Sequence, residues 1–136
     1  SQISAEGYYE LTADLDCTAL GNEVAAIRLV GNNVILDCNG RTIMLADNGA
    51  RGGVDLRNGA TLINCNVEGN ESGSCVRIDD NNVNRNYIID STISNCRIGV
   101  DIGRGLDRDI RASVINTEVT NSAIGLWVRG SDIDTT

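Results

Sequence analysis

Short stretches of alternating side chains recur along this chain at nearly constant intervals, and recurrence of that kind restricts the fold to a stack of like units. The stretches are Ala26-Ile27-Arg28-Leu29, Gly53-Val54-Asp55-Leu56, Cys75-Val76-Arg77-Ile78, Gly99-Val100-Asp101-Ile102 and Gly125-Leu126-Trp127-Val128. Their leading apolar residues, Ile27, Val54, Val76, Val100 and Leu126, stand 27, 22, 24 and 26 residues apart. Alternation with period two marks strands, and a period of this size built from short strands is the signature of a solenoid. The first four stretches are each followed by an apolar strand, a polar corner and a further short strand: Asn33 to Ile43, Ala60 to Val67, Tyr87 to Ile93 and Ser113 to Val119.

In the first strand of each unit the other side of the alternation reads Arg28, Asp55, Arg77, Asp101, Trp127, and the next outward column reads Val30, Arg57, Asp79, Gly103, Arg129. Stacking sets these residues on neighbouring strands, so opposite charges meet along the axis. Such cross-strand pairs add about 0.2 to 1 kcal/mol each, and a slip by one coil would oppose like charges. The expected role is to pin register. In the second strand Leu62, Ile88 and Val114 fall in one column and Ile63, Ile89 and Ile115 in the next, so one of the two is left as an apolar stripe outside. Asn64, Asp90 and Asn116 follow as a polar column at the corner, suited to hydrogen bonding along the stack.

Composition agrees with narrow coils. Apolar residues make up 41% of the 136 and aromatics only 3%, so the core has to come from Ile, Val, Leu, Ala and Cys. With no proline, tight corners fall to Gly, Asn and Asp, which tolerate positive φ. The net charge of −8 argues against a nucleic-acid backbone or an anionic membrane surface as partner. No apolar run is long enough to insert in a membrane as a helix. All eleven basic residues are arginine, so the usual general base, metal ligand and Schiff-base amine are missing together. The only methionine is Met44, behind a chain that begins at Ser1, which points to a piece of a longer translation product.

Five cysteines, Cys17, Cys38, Cys65, Cys75 and Cys96, leave at least one unpaired in a monomer. By the repeat, Cys38 and Cys65 are expected to occupy equivalent places in successive coils, about 4.8 Å apart, but parallel Cβ vectors suit a disulfide poorly. The favoured expectation is small buried thiols.

The connection between first and second strands lengthens from Gly31-Asn32-Asn33 and Asn58-Gly59 to Asp80 through Asn86 and Gly103 through Arg111. Insertions that collect on one flank of a solenoid tend to carry function. Arg85, Arg104, Arg108 and Arg111 are therefore the candidate ligand-binding residues, since forked guanidinium donors match carboxylate and sulfate groups. Asp80, Asp107 and Asp109 among them are candidate oxygen ligands for calcium, the one cofactor this pattern suggests. The opposing reading is a set of solvated loop pairs that neutralise one another.

Tyr8 to Cys17, Ala26 to Leu29 and Asn33 to Ile43 resemble the opening coils of right-handed parallel β-helix proteins of the pectin-lyase-like superfamily. Leu62-Ile63-Asn64-Cys65-Asn66-Val67 and Val114-Ile115-Asn116-Thr117-Glu118-Val119 look like that superfamily's repeat, apolar-x-Asn-x-x-apolar. The resemblance implies an all-β, right-handed parallel β-helix solenoid of about five coils, as a single domain over residues 1–136. Residues 1–25 would form an entry and capping segment with an irregular lead over Ser1 to Gly7, 26–129 the coils and 130–136 a tail. The superfamily's hydrolases carry a His and an Arg-Ile-Lys motif, and this chain has neither His nor Lys. Its lyases use an arginine base beside calcium, which the ordinary protonation of arginine opposes. The expected function is a non-catalytic module of an extracellular, cell-surface or periplasmic protein, contacting acidic polysaccharides or serving adhesion. The alternatives are a polysaccharide lyase or glycoside hydrolase, and a structural module that forms homo-oligomers or stacks on a flanking domain.

Overall fold

A computed structural model describes residues 1–20, 25–46, 53–79, 84–103, 109–129 and 132–135, with Asp109 and 132–135 described in backbone only. Every regular element among the described residues is a strand: β1 (Gln2–Ile3), β2 (Gly7–Glu10), β3 (Leu15–Cys17), β4 (Ile27–Val30), β5 (Val34–Asp37), β6 (Thr42–Leu45), β7 (Val54–Arg57), β8 (Thr61–Ile63), β9 (Asn66–Glu68), β10 (Ser74–Ile78), β11 (Asn86–Ile89), β12 (Thr92–Ser94), β13 (Ile98–Ile102), β14 (Asp109–Ile115), β15 (Glu118–Thr120), β16 (Ile124–Val128) and β17 (Asp132–Thr135). Each strand pairs in parallel with the strand three later. Three sheets result: A (β1-β4-β7-β10-β13-β16), B (β2-β5-β8-β11-β14-β17) and C (β3-β6-β9-β12-β15). The chain is a parallel β-solenoid whose coils each contribute one strand to every sheet.

Register in sheet A follows the sequence columns. Ile27 pairs with Val54, Val54 with Val76, Val76 with Val100 and Val100 with Leu126. Ile27, Leu29, Val54, Leu56, Val76, Ile78, Val100 and Ile102 are buried, and Leu36, Leu62, Ile88, Ile43, Val67 and Ile93 close the core from sheets B and C. At the last coil the same columns emerge, with Leu126 51% and Val128 41% exposed. The outer stripe on sheet B is real: Ile63 and Ile89 are half-buried and Ile115 is exposed.

The corners are turned by residues that accept a left-handed backbone. Asn64, Asp90 and Asn116 have φ of 53, 50 and 46°, and Asn95 and Asn121 repeat this at the corner after sheet C. Asparagine and aspartate bear that conformation with little penalty because the short side chain bonds locally. Here the side chains also link coils, Asn116 Nδ2 donating to Asp90 Oδ1 at 2.7 Å and Asn64 Nδ2 to Asp37 Oδ1 at 3.3 Å. Asp37 further accepts the Tyr8 hydroxyl and the Asn39 N–H. The Tyr8 bond, with help from those of Asn39 and Asn64, holds the Asp37 carboxyl below its ordinary range against the opposing effect of burial, and pushes Tyr8 up to about 12.

Three expectations need correction. Residues 1–20 form a coil in their own right. Gln2–Ile3 is not an irregular lead, because its strand pairs with β4, and β2 and β3 extend sheets B and C. The cysteines are not all thiols: Cys38 is bonded to Cys65 and Cys75 to Cys96, leaving Cys17 as a buried free thiol. Asp37 pairs with Ile63, so Cys38 stands one residue out of register with Cys65. The coil-two corner is longer by two residues, and the chain is turning at both cysteines. Their Cβ vectors need not be parallel, and the 4.8 Å Cα separation is bridgeable.

Candidate functional site: an arginine-bearing face and edge

The alternating charges of sheet A stack as their spacing requires, Arg28 against Asp55, Asp55 against Arg77 and Arg77 against Asp101. What sequence does not convey is how unequally the partners are exposed. The side chains of Asp55 and Asp101 are 4% and 3% exposed, whereas Arg28, Arg57 and Arg129 keep 39%, 37% and 32%. Aspartate is short and stays at the sheet surface. The longer side chains of Arg28, Arg57 and Arg129 reach over it and stay partly exposed, while Arg77, in register with both aspartates, is itself buried.

Asp55 Oδ2 accepts Arg28 Nε at 3.1 Å, Arg57 Nε at 3.0 Å and Arg57 Nη2 at 2.9 Å. Arg57 thus turns back along its own strand to Asp55 and not to Asp79, the partner that column order suggested. Asp101 accepts Arg129 Nη2 on both oxygens, at 2.8 and 3.0 Å, and the Ser74 hydroxyl at 3.1 Å. The Arg129 guanidinium lies 3.9 Å from the Trp127 ring centroid, which fixes its plane. Asp55 Oδ2 and both Asp101 oxygens are engaged by the arginines lying over them, and the arginines are the more exposed members of these pairs.

Arg57 closes β7 and Arg129 follows β16, so both arms stand at the edge where sheet A passes into sheet B. Arg85 precedes β11 on the sheet-B side of that edge, and the pairing of Asn86 with Ala112 sets it beside Arg111 of the next coil. Two of the four candidate arginines are therefore neighbours in the stack. Arg85 Nη1 donates to Ala112 O at 3.0 Å and Ser113 Oγ at 3.1 Å, tying β11 to β14, while Arg111 is exposed. Arg104, Arg108, Asp80 and Asp107 lie outside the described residues, as does the Asp109 side chain.

Asp109 and Arg111 belong to β14 and not to a connecting corner as expected. The reason is visible in the alternation Asp109-Ile110-Arg111-Ala112, whose apolar members Ile110 and Ala112 are fully buried. No group of three or more metal-binding side chains converges among the described residues. Sequence reasoning missed Arg28, Arg57 and Arg129 as presented groups by counting them only as register pins. The signal available was their position, since Arg57 and Arg129 sit at strand ends on the edge where the connections of the intervening coils lengthen.

Comparison with protein families, with curated proteins and with solved structures finds no match to this chain.

Proposed function

We propose that this chain is a non-catalytic β-solenoid module, related to the pectin-lyase-like β-helices, that contacts acidic glycans outside the cytoplasm. The observation that carries the reading is the layering on sheet A, with Asp55 and Asp101 sequestered beneath Arg28, Arg57 and Arg129. A protein of net charge −8 thereby keeps one face of forked donors, the geometry that matches carboxylate and sulfate groups. The left-handed Asn64 and Asn116 at the apolar-x-Asn-x-x-apolar corners support the family relation. Catalysis is disfavoured because Asp55 and Asp101 are engaged by arginine and buried beneath it. Two disulfides favour an oxidising compartment.

Arg57→Gln tests this reading with little risk to the fold, because Arg28 remains on Asp55. Its binding to uronate-rich or sulfated polymers should weaken by about tenfold, the loss of one charge-assisted contact, with the melting temperature nearly unchanged. Arg104→Gln combined with Arg108→Gln should act in the same direction. If the unmodified protein binds none of these polymers at low salt, with or without calcium, the proposal is wrong.

A structural reading draws on a different observation. Ile124, Leu126 and Val128 of β16 and Ile115 of β14 are exposed, whereas Ile98, Val100 and Ile102 one coil earlier are buried. At Gly99 an added Cβ would meet Val119 at 2.4 Å, while at the equivalent Gly125 it would meet nothing. The last rung has the shape of an internal rung without its neighbour, and an uncovered strand edge of this kind invites pairing. Association through this end is the expected result, read as a concentration-dependent mass in light scattering. A strict monomer at the highest soluble concentration would count against it.

A further inference from the structure

The chain has sixteen asparagines and one Asn-x-Ser/Thr sequence, Asn70-Glu71-Ser72. It lies in the corner between β9 and β10. The corner is fastened through its backbone on either side of that residue. Gly69 N–H donates to Ser94 O at 2.9 Å and Glu71 N–H to Asn95 O at 2.7 Å. Gly69 is packed so closely that a Cβ there would meet Cys75 Sγ at 2.6 Å, while Glu71 takes the left-handed conformation at φ 72°. With the backbone tied on both sides, the Asn70 side chain is exposed. The Ser72 hydroxyl donates to Asn70 Oδ1 at 2.7 Å, joining the two side chains that define the acceptor sequence.

We propose that Asn70 is a site of N-linked glycosylation. The sequence Asn-x-Ser/Thr is the acceptor for oligosaccharide transfer and belongs on surface loops of secreted chains. In the transfer, Asn70 Nδ2 attacks C1 of a sugar carried on a polyprenyl diphosphate. The C1–N bond forms, the C1–O bond to the diphosphate breaks, and the diphosphate leaves with that electron pair. The displaced Nδ2 proton passes to a base of the transferase, and nothing is oxidised or reduced. The Cys75–Cys96 bridge next to this corner fits the same oxidising compartment in which that transfer occurs. Asn70 stands at the corner from sheet C into sheet A, away from the A–B edge that carries Arg57, Arg85, Arg111 and Arg129, so a glycan here leaves that edge open.

The test is incubation of the full chain, folded and separately reduced and unfolded, with purified oligosaccharyltransferase and a lipid-linked oligosaccharide. Intact mass and peptide mapping then read the products. The expected result is one added oligosaccharide, on the peptide containing Asn70, removed by an amidase that converts Asn70 to aspartate. Asn70→Gln and Ser72→Ala should abolish the addition and Ser72→Thr should retain it. Bare polypeptide in both folded and unfolded reactions, under conditions that glycosylate a control acceptor peptide, overturns the proposal. So does sugar transfer that persists in Asn70→Gln.

Discussion

Val100→Asp is expected to leave no cooperatively folded protein. Val100 has no exposed surface and stands between Val76 and Leu126 in the inner column of sheet A. A carboxylate there lies in the apolar interior with no arginine on its side of the sheet, and an unpaired buried charge costs several kcal/mol at least. That is comparable to the whole stability of a small domain, about 5 to 15 kcal/mol. The neighbouring position offers an internal control, because Asp101 is native one residue later, where alternation turns it to the arginine side. Leu126→Asp supplies a second control: it shares the column but lies at the open end, 51% exposed, and is expected to cost less than about 1 kcal/mol. Denaturant unfolding of the three proteins decides the matter. A Val100→Asp variant that melts cooperatively would show that the assigned faces are exchanged.

Reduction of the two disulfides should produce the other large loss. Cys38–Cys65 spans 27 residues and Cys75–Cys96 spans 21. Opening loops of that size returns about 3 kcal/mol each to the unfolded chain by the loop-entropy relation. Each bridge restrains one stretch of chain, and the two stretches do not overlap, so the losses should be close to additive. Thiol titration of the denatured protein is expected to find only Cys17 before reduction and all five cysteines after it. The denaturant midpoint should fall steeply between those two states. An unchanged midpoint in protein shown by titration to be fully reduced would mean that the bridges do not hold the coils.

How far the sequence could be read depends on whether a feature repeats. The sheet-A columns are legible because alternation and a period of 22 to 27 residues leave one register that buries Val54, Val76 and Val100 together. The same argument identifies the polar corner at Asn64, Asp90 and Asn116, although the left-handed backbone behind it is a further fact of the structure. Reading failed where the corners differ in length. The disulfide between Cys38 and Cys65 is not legible in the repeat because two extra corner residues shift the register by one. Asp109 and Arg111 read as a corner by their charges, whereas the buried Ile110 and Ala112 that alternate with them make the stretch a strand.

The sequence by itself determined that this chain stacks short strands, which side chains form the core, and that arginine and aspartate alternate along sheet A from coil to coil. These follow from period and alternation, and both are properties of chain order. Only the tertiary structure decided that residues 1–20 supply a coil, that four cysteines pair, and that Asp55 and Asp101 lie beneath the arms of Arg28, Arg57 and Arg129. Those outcomes depend on side-chain length and on where the chain turns, so they are settled between coils, by contacts that no single repeat contains.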